Sequence, residues 1–459
     1  VVNGKIAKLK ITDFNANGFT KTSLQLKGII TGLPNLNKTY FQFPSLAMST
    51  TNKDLLAILP PKTIPNSIQI PASMRVKGSF NGTMNAFGAK LLASTSMGNI
   101  AFNGSMSLNN KSYDAAVDLM QVDLGRFLKK DSLLGQLSMH AKVKGVGYDY
   151  KTLKADVQTT VQSFEFKGYE YQNLNANAQL DQGNLQLNAA LDDTNLVFDL
   201  NANAELKQGF PALKLSMLLD TINFKGLHLT TDSFSMHSKL IVDFSNTHPD
   251  SLVGEAFISQ IRFSRGDHHF FTDTARVKAE MIDANNHLTF FSKPLIADIN
   301  GQYRLTELTT ALQHHFNQYY QLQNFKDSNF VSQDWKASFQ FRTSPIVLQF
   351  LPELKGTDTV GASMQFVSDR NVLDFNLNAP LIQYDGNKIR HLHAHVTTGN
   401  KAMQYGINFE NAAVKSLLLN NASLNGQVAQ NTVNGNLIFR DKLSEKVYQL
   451  SLSMQQQNK

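Results

Sequence analysis

Cysteine is absent from the 459 residues of the chain. Its absence excludes a disulfide framework, a thiolate zinc site and a cysteine nucleophile, and it fits an oxidising compartment. No apolar stretch approaches the roughly 18 residues that a membrane-spanning helix needs. Charged residues are scarce, at 17%, and Lys and Arg do not cluster beyond pairs such as Lys129-Lys130. The net charge of +7 therefore does not describe a nucleic-acid-binding stripe.

Catalytic motifs are lacking as well. No G-x-S-x-G, H-E-x-x-H or G-x-x-x-x-G-K pattern occurs in the chain, which removes the commonest signatures of esterases, zinc proteases and nucleotide-binding loops. We interpret the carboxylate pair Asp192-Asp193 as part of a turn. The chain opens Val1-Val2 with no charged-then-apolar leader, so we expect any signal or anchor to lie outside it. These observations predict a protein that is not an enzyme and needs no cofactor.

Amides and strict alternation are what the sequence has in abundance. It contains 43 Asn and 30 Gln residues. Apolar residues alternate with polar ones, for example at Leu196, Phe198 and Leu200, and again at Leu373 and Phe375. Alternation places every apolar side chain on one face of a strand and every polar side chain on the other. One-sided strands are typical of antiparallel sheets, so the pattern predicts an all-β fold.

Turn signals such as Asp385-Gly386 separate the alternating runs and predict a meander of long strands. Helices are expected to be few and short. Thr51 and Asp54 resemble a capping box, and Ser344-Pro345 resembles the start of a second helix. The longest candidate covers Leu308–Leu322, whose apolar residues form a single helical stripe. We expect it to pack on the sheet edge and protect that edge; the alternatives are a lid or plug in the groove and a membrane-surface helix.

Weak internal repetition divides the chain. A shift of 99 positions aligns Phe164 with Phe263, and a second echo aligns Phe164 with Ile382. True repeats would stack as similar pieces of sheet. We expect four segments, 1–115, 116–214, 215–330 and 331–459, which form one continuous body.

Three alternating histidines, His391, His393 and His395, share one face of a predicted strand. A His-x-His pair can bind a metal ion. Leu392 and Ala394 occupy the apolar register between them, so the histidines are expected to face water. No carboxylate partner is evident nearby in the pattern, and we predict no metal site.

The hairpin Phe164–Leu174 is followed by alternating Ala and Leu, and upstream lie a short helical segment, Asp123–Leu128, and a strand, Lys142–Gly145. This arrangement resembles the repeating strands of the AsmA-like family, particularly the TamB-like proteins of the Bacteroidota kind. The resemblance implies an elongated, curled antiparallel sheet with an open, taco-like groove. It also implies a periplasmic bridge in a Gram-negative bacterium, anchored in the inner membrane, that conducts phospholipid acyl chains to the outer membrane.

The physical argument agrees with that implication, because an apolar sheet face without a covering layer must curl on itself or take up lipid. Each Å² of apolar surface removed from water is worth about 25 cal/mol. The expected lipid-groove residues are apolar members of the alternating runs. They are Phe164, Phe166, Leu174, Leu185, Leu187, Leu196, Phe198, Leu200, Phe263, Phe290, Phe375 and Leu377.

Two other functions remain open. An outer-membrane assembly factor could use an open sheet edge to pair with a strand of a barrel or a barrel-assembly protein. A secreted carbohydrate-binding β-protein would carry exposed aromatic residues on its polar face. The expected partners under the first reading are phospholipids, and no reading predicts nucleic acid.

Overall fold

The computed structural model describes residues 2–5, 7–35, 38–60, 63–207, 209–321, 330–399, 401–414, 417–441, 443 and 445–456. Antiparallel strands account for 67% of the structure, with four short α-helices. The expectation of an all-β antiparallel fold with few short helices is confirmed. Over the described residues, no helix is long and apolar enough to cross a membrane.

The strands follow one another along the chain with short connections. They are β1 Val2–Lys5, β2 Lys8–Gly18, β3 Thr22–Thr31, β4 Tyr40–Thr51, β5 Ser73–Gly82, β6 Ala86–Thr95, β7 Gly98–Ser107, β8 Ser112–Asp123, β9 Leu134–Val146, β10 Lys154–Phe166, β11 Tyr169–Asp181, β12 Asn184–Asp192, β13 Leu196–Glu205, β14 Ala212–Asn223, β15 Phe234–Asn246, β16 Val253–Arg265, β17 His268–Ile282, β18 Asn285–Ser292, β19 Leu295–Gln302, β20 Asp334–Phe341, β21 Leu354–Thr357, β22 Val360–Val367, β23 Val372–Tyr384, β24 Asn387–Thr398, β25 Met403–Val414, β26 Leu417–Ala429, β27 Thr432–Arg440 and β28 Val447–Gln455. The helices are α1 Asn52–Ile58, α2 Leu124–Leu128, α3 Leu308–Asn317 and α4 Pro345–Phe350.

The chain forms two compact units. Unit 1 comprises Val1–Gly209, Leu215–His237 and Arg265–Asp267. Unit 2 comprises Phe210–Lys214, Ser238–Ser264 and His268–Lys459. The four segments expected from the sequence stay a prediction.

Each unit contains a run of antiparallel strands. In unit 1, β1 to β13 pair in chain order. In unit 2, β17 to β28 do the same, except that β20 pairs with β22 and β21 pairs with β23. Neither run closes into a barrel over the described residues.

The sequence echoes correspond to similar local structure. Strands β10 and β16 begin at Lys154 and Val253, and β13 and β19 begin at Leu196 and Leu295, so both pairs are offset by the same 99 positions. The second echo joins two hairpins. Their turns have φ values of 50° and 76° at Lys167-Gly168, and of 46° and 74° at Asp385-Gly386. Positive φ at both central residues is the geometry of the twisted two-residue hairpin.

The helix signals are only partly reproduced. Thr51 caps α1 by accepting a hydrogen bond from the backbone N–H of Asp54. The Asp54 carboxylate, however, accepts from the backbone N–H of Lys21 at 2.7 Å and the hydroxyl of Thr22 at 2.9 Å, so it stabilises the β2–β3 turn instead of completing a capping box. Helix α3 begins at Leu308 as predicted and ends at Asn317, whereas Leu322 lies outside the described residues.

Candidate functional site

An apolar row crosses unit 1 from β2 to β13. Residues directly opposite each other on neighbouring strands point to the same side of a sheet, and the pairing places an apolar residue at the same level on twelve consecutive strands. We call this set the Phe198 row. Its members are Ala16, Leu24, Met48, Val76, Ala93, Ile100, Leu119, Met139, Val161, Leu174, Leu191 and Phe198.

The neighbouring rows repeat this chemistry. The next row along the strands also has twelve residues, from Phe14 on β2 to Leu200 on β13, and only Thr159 among them is polar. The row consists of Phe14, Leu26, Leu46, Gly78, Leu91, Phe102, Val117, Ala141, Thr159, Ala176, Ala189 and Leu200. Two further rows contain the predicted residues Leu187, opposite Ala178 and Ala202, and Leu185, opposite Leu180 and Ala204. The apolar surface is therefore a band several residues wide.

The two faces of unit 1 differ sharply in exposure. All members of the Phe198 row are buried or half-buried. On the opposite face, Gln158, Asn177, Asn188 and Asn201 form a cross-strand ladder of amides, and each of them is exposed. Such one-sided burial is what strict alternation predicts.

A local cluster covers one margin of the unit 1 band. Its buried centre is Tyr171, Leu191 and Leu227, of which Leu227 is 2% exposed and belongs to the segment between β14 and β15. The rings of Phe164 and Tyr171 stack at 4.7 Å. The predicted groove residues that pack in this cluster are Phe164, Phe166, Leu174, Leu196 and Phe198.

The carboxylate of Asp193 has a structural role beside this cluster. It is 6% exposed and accepts hydrogen bonds from the Tyr169 hydroxyl at 2.5 Å and from the backbone N–H groups of Gln172 and Asn195 at 3.1 and 2.9 Å. The side chain thus joins the ends of two hairpins, as expected for a turn residue.

Unit 2 has a comparable apolar row, which we call the Leu377 row. It contains an apolar residue on eleven paired strands. Its members are Val277, Phe290, Ala297, Phe339, Ala362, Leu377, Ala394, Ile407, Leu424, Leu437 and Leu450. The adjacent Phe375 row consists of Ala279, Leu288, Ile299, Ala337, Met364, Phe375, Val396 and Tyr405.

Helix α3 packs on the apolar face of unit 2. The cluster beneath it has Tyr303, Ala311, Trp335, Phe366 and Leu373 as its buried centre, and Phe375 packs against it. Burial, together with the nearby charge of Asp298, raises the pKa of Tyr303 to about 12. The helix contacts the apolar face through its apolar stripe and does not pack on a sheet edge, so the expectation of an edge-packed helix is wrong.

His315 on α3 is 2% exposed and faces this cluster, with its ring 5.4 Å from that of Phe366. Neither ring nitrogen has a hydrogen-bond partner among the described residues. Burial lowers the pKa of His315 to about 4, and the charge of His314 adds to this effect. The imidazole is therefore neutral at pH 7 and behaves as an apolar contact.

The remaining predicted groove residues lie outside the two clusters. Leu185, Leu187 and Leu200 are half-buried in unit 1, and Phe290 and Leu377 are half-buried in the Leu377 row. Phe263 on β16 is also half-buried, and its ring lies 6.3 Å from that of Phe350 on α4. Sequence reasoning missed the rows as such, because they depend on strand register, and it missed Leu227, which follows no periodic pattern.

His393 and His395 lie on the polar face of β24, opposite Asn378 and Asn376, whereas His391 lies at an irregularity of the strand, with φ of 52°. His391 forms a hydrogen bond with the Glu410 carboxylate, and the rings of His393 and His395 are 5.9 Å apart. Among the described residues, no group of three or more His, Cys, Asp or Glu side chains is placed to hold a metal ion.

A concavity of about 700 Å³ lies on the polar face of β25 to β28. Amide and hydroxyl side chains such as Asn425, Gln427 and Ser453 line it, and no Lys, Arg, Asp or Glu is among its lining residues.

Comparisons of the chain with protein-family profiles, with curated proteins and with solved structures gave no match. The resemblance to the AsmA-like family therefore stays a prediction.

Proposed function

We propose that the apolar face of this protein binds the acyl chains of phospholipids and lets them slide from strand to strand. The observation that carries this proposal is the Phe198 row, which places an apolar residue on each of twelve consecutive strands. At roughly 4.8 Å between strands, the row is about 50 Å long. It offers an acyl chain many positions of similar chemistry.

Because the positions along the Phe198 row are chemically similar, they favour movement of the acyl chain as well as its binding. A methylene group that leaves water gains up to about 0.8 kcal/mol, so a chain against the band is held by the sum of many weak contacts. Sliding by one strand replaces one set of aliphatic contacts with another set of the same kind, so the energy changes little along the row. A polar residue in the row would interrupt this path.

The wider setting of the proposal comes from the resemblance to the AsmA-like family. We place the protein in the periplasm of a Gram-negative bacterium, as a non-enzymatic bridge between the inner and outer membranes. An anchor outside this chain would attach it to the inner membrane. Phospholipid head groups would remain in water at the margins of the apolar band.

The proposal is tested by lipid analysis and by transfer. Protein purified without detergent should carry phospholipid that mass spectrometry detects, and it should accelerate the movement of a fluorescent phospholipid between donor and acceptor vesicles. Protein that carries no lipid and leaves the transfer rate at its spontaneous value would contradict the proposal.

A further inference from the structure

The buried centre of the cluster under α3 contains a short cross-strand row of its own. Trp335, Phe366 and Leu373 lie opposite one another on β20, β22 and β23, and they are 4%, 0% and 2% exposed. Six consecutive members of the Phe375 row pack against this cluster and are half-buried. They are Leu288, Ile299, Ala337, Met364, Phe375 and Val396.

The contacts that α3 makes are of the kind that an acyl chain would make. Leu308, Leu312 and Phe316 present aliphatic and aromatic surface to the sheet, and Ala311 is 1% exposed. Two apolar bodies cannot occupy the same stretch of one row. Where α3 is docked, the buried residues Trp335, Phe366 and Leu373 are closed to any other ligand, while the Leu377 row carries no residue of the cluster.

The interface between α3 and the sheet contains polar groups without partners. Besides both ring nitrogens of His315, the indole nitrogen of Trp335 lacks a hydrogen-bond partner among the described residues. Trp335 belongs to the cluster under the helix and is 4% exposed. A buried polar group without a partner opposes burial, so the closed arrangement is less stable than a fully apolar contact of the same size.

Polar tethers beyond the C-terminal end of α3 offset this weakness. The Asn431 side-chain oxygen accepts from the backbone N–H of Gln321 at 2.7 Å. The Tyr319 hydroxyl donates to the Gly399 carbonyl at 3.0 Å. These contacts lie at the β26–β27 turn and the β24–β25 connection, away from the Phe375 row, so they can be altered without changing the apolar surface.

We infer that α3 is a removable occupant of the apolar face, and that the surface beneath it, formed by Trp335, Phe366 and Leu373, is a second acyl-chain site that opens when the helix leaves. This inference rests on the proposed function, since it assigns the same ligand class to a covered part of the same kind of surface. The helix then competes directly with lipid, and the strength of its tethers sets how often the second site is open.

The test replaces the 13 methionines with the photo-reactive analogue photo-methionine and exposes the protein to vesicles of phosphatidylethanolamine and phosphatidylglycerol. Met364 packs against the cluster under α3, two residues from Phe366 on β22, and reports on the covered surface. Met139 in the Phe198 row reports on the proposed function itself. Lipid adducts at each position are quantified by mass spectrometry after illumination.

Two variants loosen the helix by different routes. Asn431→Gly removes the tether oxygen and keeps the left-handed backbone, which has φ of 61° at this residue. His315→Asp introduces a charge into the buried interface. The matched control is Gln313→Asp, which places the same charge on the exposed side of the same helix.

The expected result is strong labelling at Met139 in every protein. Labelling at Met364 should be weak in the wild type and in Gln313→Asp, and it should rise at least threefold in Asn431→Gly and His315→Asp, since one lost hydrogen bond corresponds to roughly that change in a population. Equal labelling of Met364 in all four proteins, with Met139 labelled, overturns the inference and leaves the proposed function standing. Absence of labelling at Met139 overturns the proposed function on which the inference rests.

Discussion

A single charge in the apolar band of unit 1 should block lipid binding. The change is Leu187→Asp on β12, where Leu187 lies between Ala178 and Ala202 on the neighbouring strands. The matched control is Asn188→Asp, because Asn188 is the next residue of the same strand and points to the exposed amide face. Both variants introduce the same charge within one residue of each other, so only the face differs.

The magnitude follows from the contacts that the charge removes. A carboxylate in the band stays hydrated, so an acyl chain cannot contact the band over the width of about two strands, or roughly 10 Å. If about five methylene groups each lose half of the roughly 0.8 kcal/mol of full burial, the loss is about 2 kcal/mol. This corresponds to about a thirtyfold weaker affinity, since 1.4 kcal/mol is tenfold.

Binding of a fluorescent phospholipid by detergent-free protein measures the effect, and vesicle-to-vesicle transfer measures its consequence. Leu187→Asp should lose about thirtyfold in affinity, and Asn188→Asp should match the wild type. Circular dichroism checks that both variants fold. Equal affinity of the two folded variants for the phospholipid would refute the reasoning, because the acyl chain would then not lie on the face that Leu187 occupies.

The remaining predictions concern stability. The pKa of His315 is about 4 in the folded protein, against an ordinary value of 6.5. Because the unfolded state therefore binds the proton first, the docking of α3 should weaken as the pH falls from about 6.5 to 4, by up to about 3 kcal/mol at 1.36 kcal/mol per pKa unit. Hydrogen exchange of α3 should show this weakening in the wild type and a flat pH profile in His315→Leu. Leu227→Ala should lower the unfolding free energy of unit 1 by about 2–5 kcal/mol in urea denaturation, and a loss below 1 kcal/mol would mean that Leu227 does not cover the cluster. The backbone N–H of Lys21, and less strongly the Thr22 hydroxyl, keep the pKa of Asp54 below its usual value although burial opposes them. The β2–β3 turn should therefore lose stability as pH falls through the lowered pKa of Asp54. Asp54→Asn should speed hydrogen exchange at Lys21 at neutral pH and leave hydrogen exchange at the β10–β11 turn unchanged.

Sequence periodicity predicted the faces of the strands well, because pleating alone decides which side a residue takes. Leu185, Leu187 and Leu200 are half-buried, and Asn188 and Asn201 are exposed, as the alternation requires. The turn at Asp385-Gly386 was equally predictable, since both residues adopt the positive φ that a tight hairpin needs.

The rows could not be predicted, because they depend on which residues lie opposite each other. Bulges shift that register locally, for example between Val161 and Ser163 where β10 pairs with β9. The residues that cover each apolar face could be predicted only in part. Leu227 lies in a connection without periodicity. The apolar stripe of α3 predicted a packed helix or a lid, but it did not identify Trp335, Phe366 and Leu373 as the residues that the helix covers.

The most direct test of the central claim is a map of lipid contacts along one strand. A phospholipid with a diazirine in its acyl chain is bound and illuminated, and adducts are assigned residue by residue along β12. The account predicts a period of two, with adducts at Leu185, Leu187 and Ala189 and none at Gln186 and Asn188. Adducts without this alternation, or adducts confined to the amide face, would contradict it.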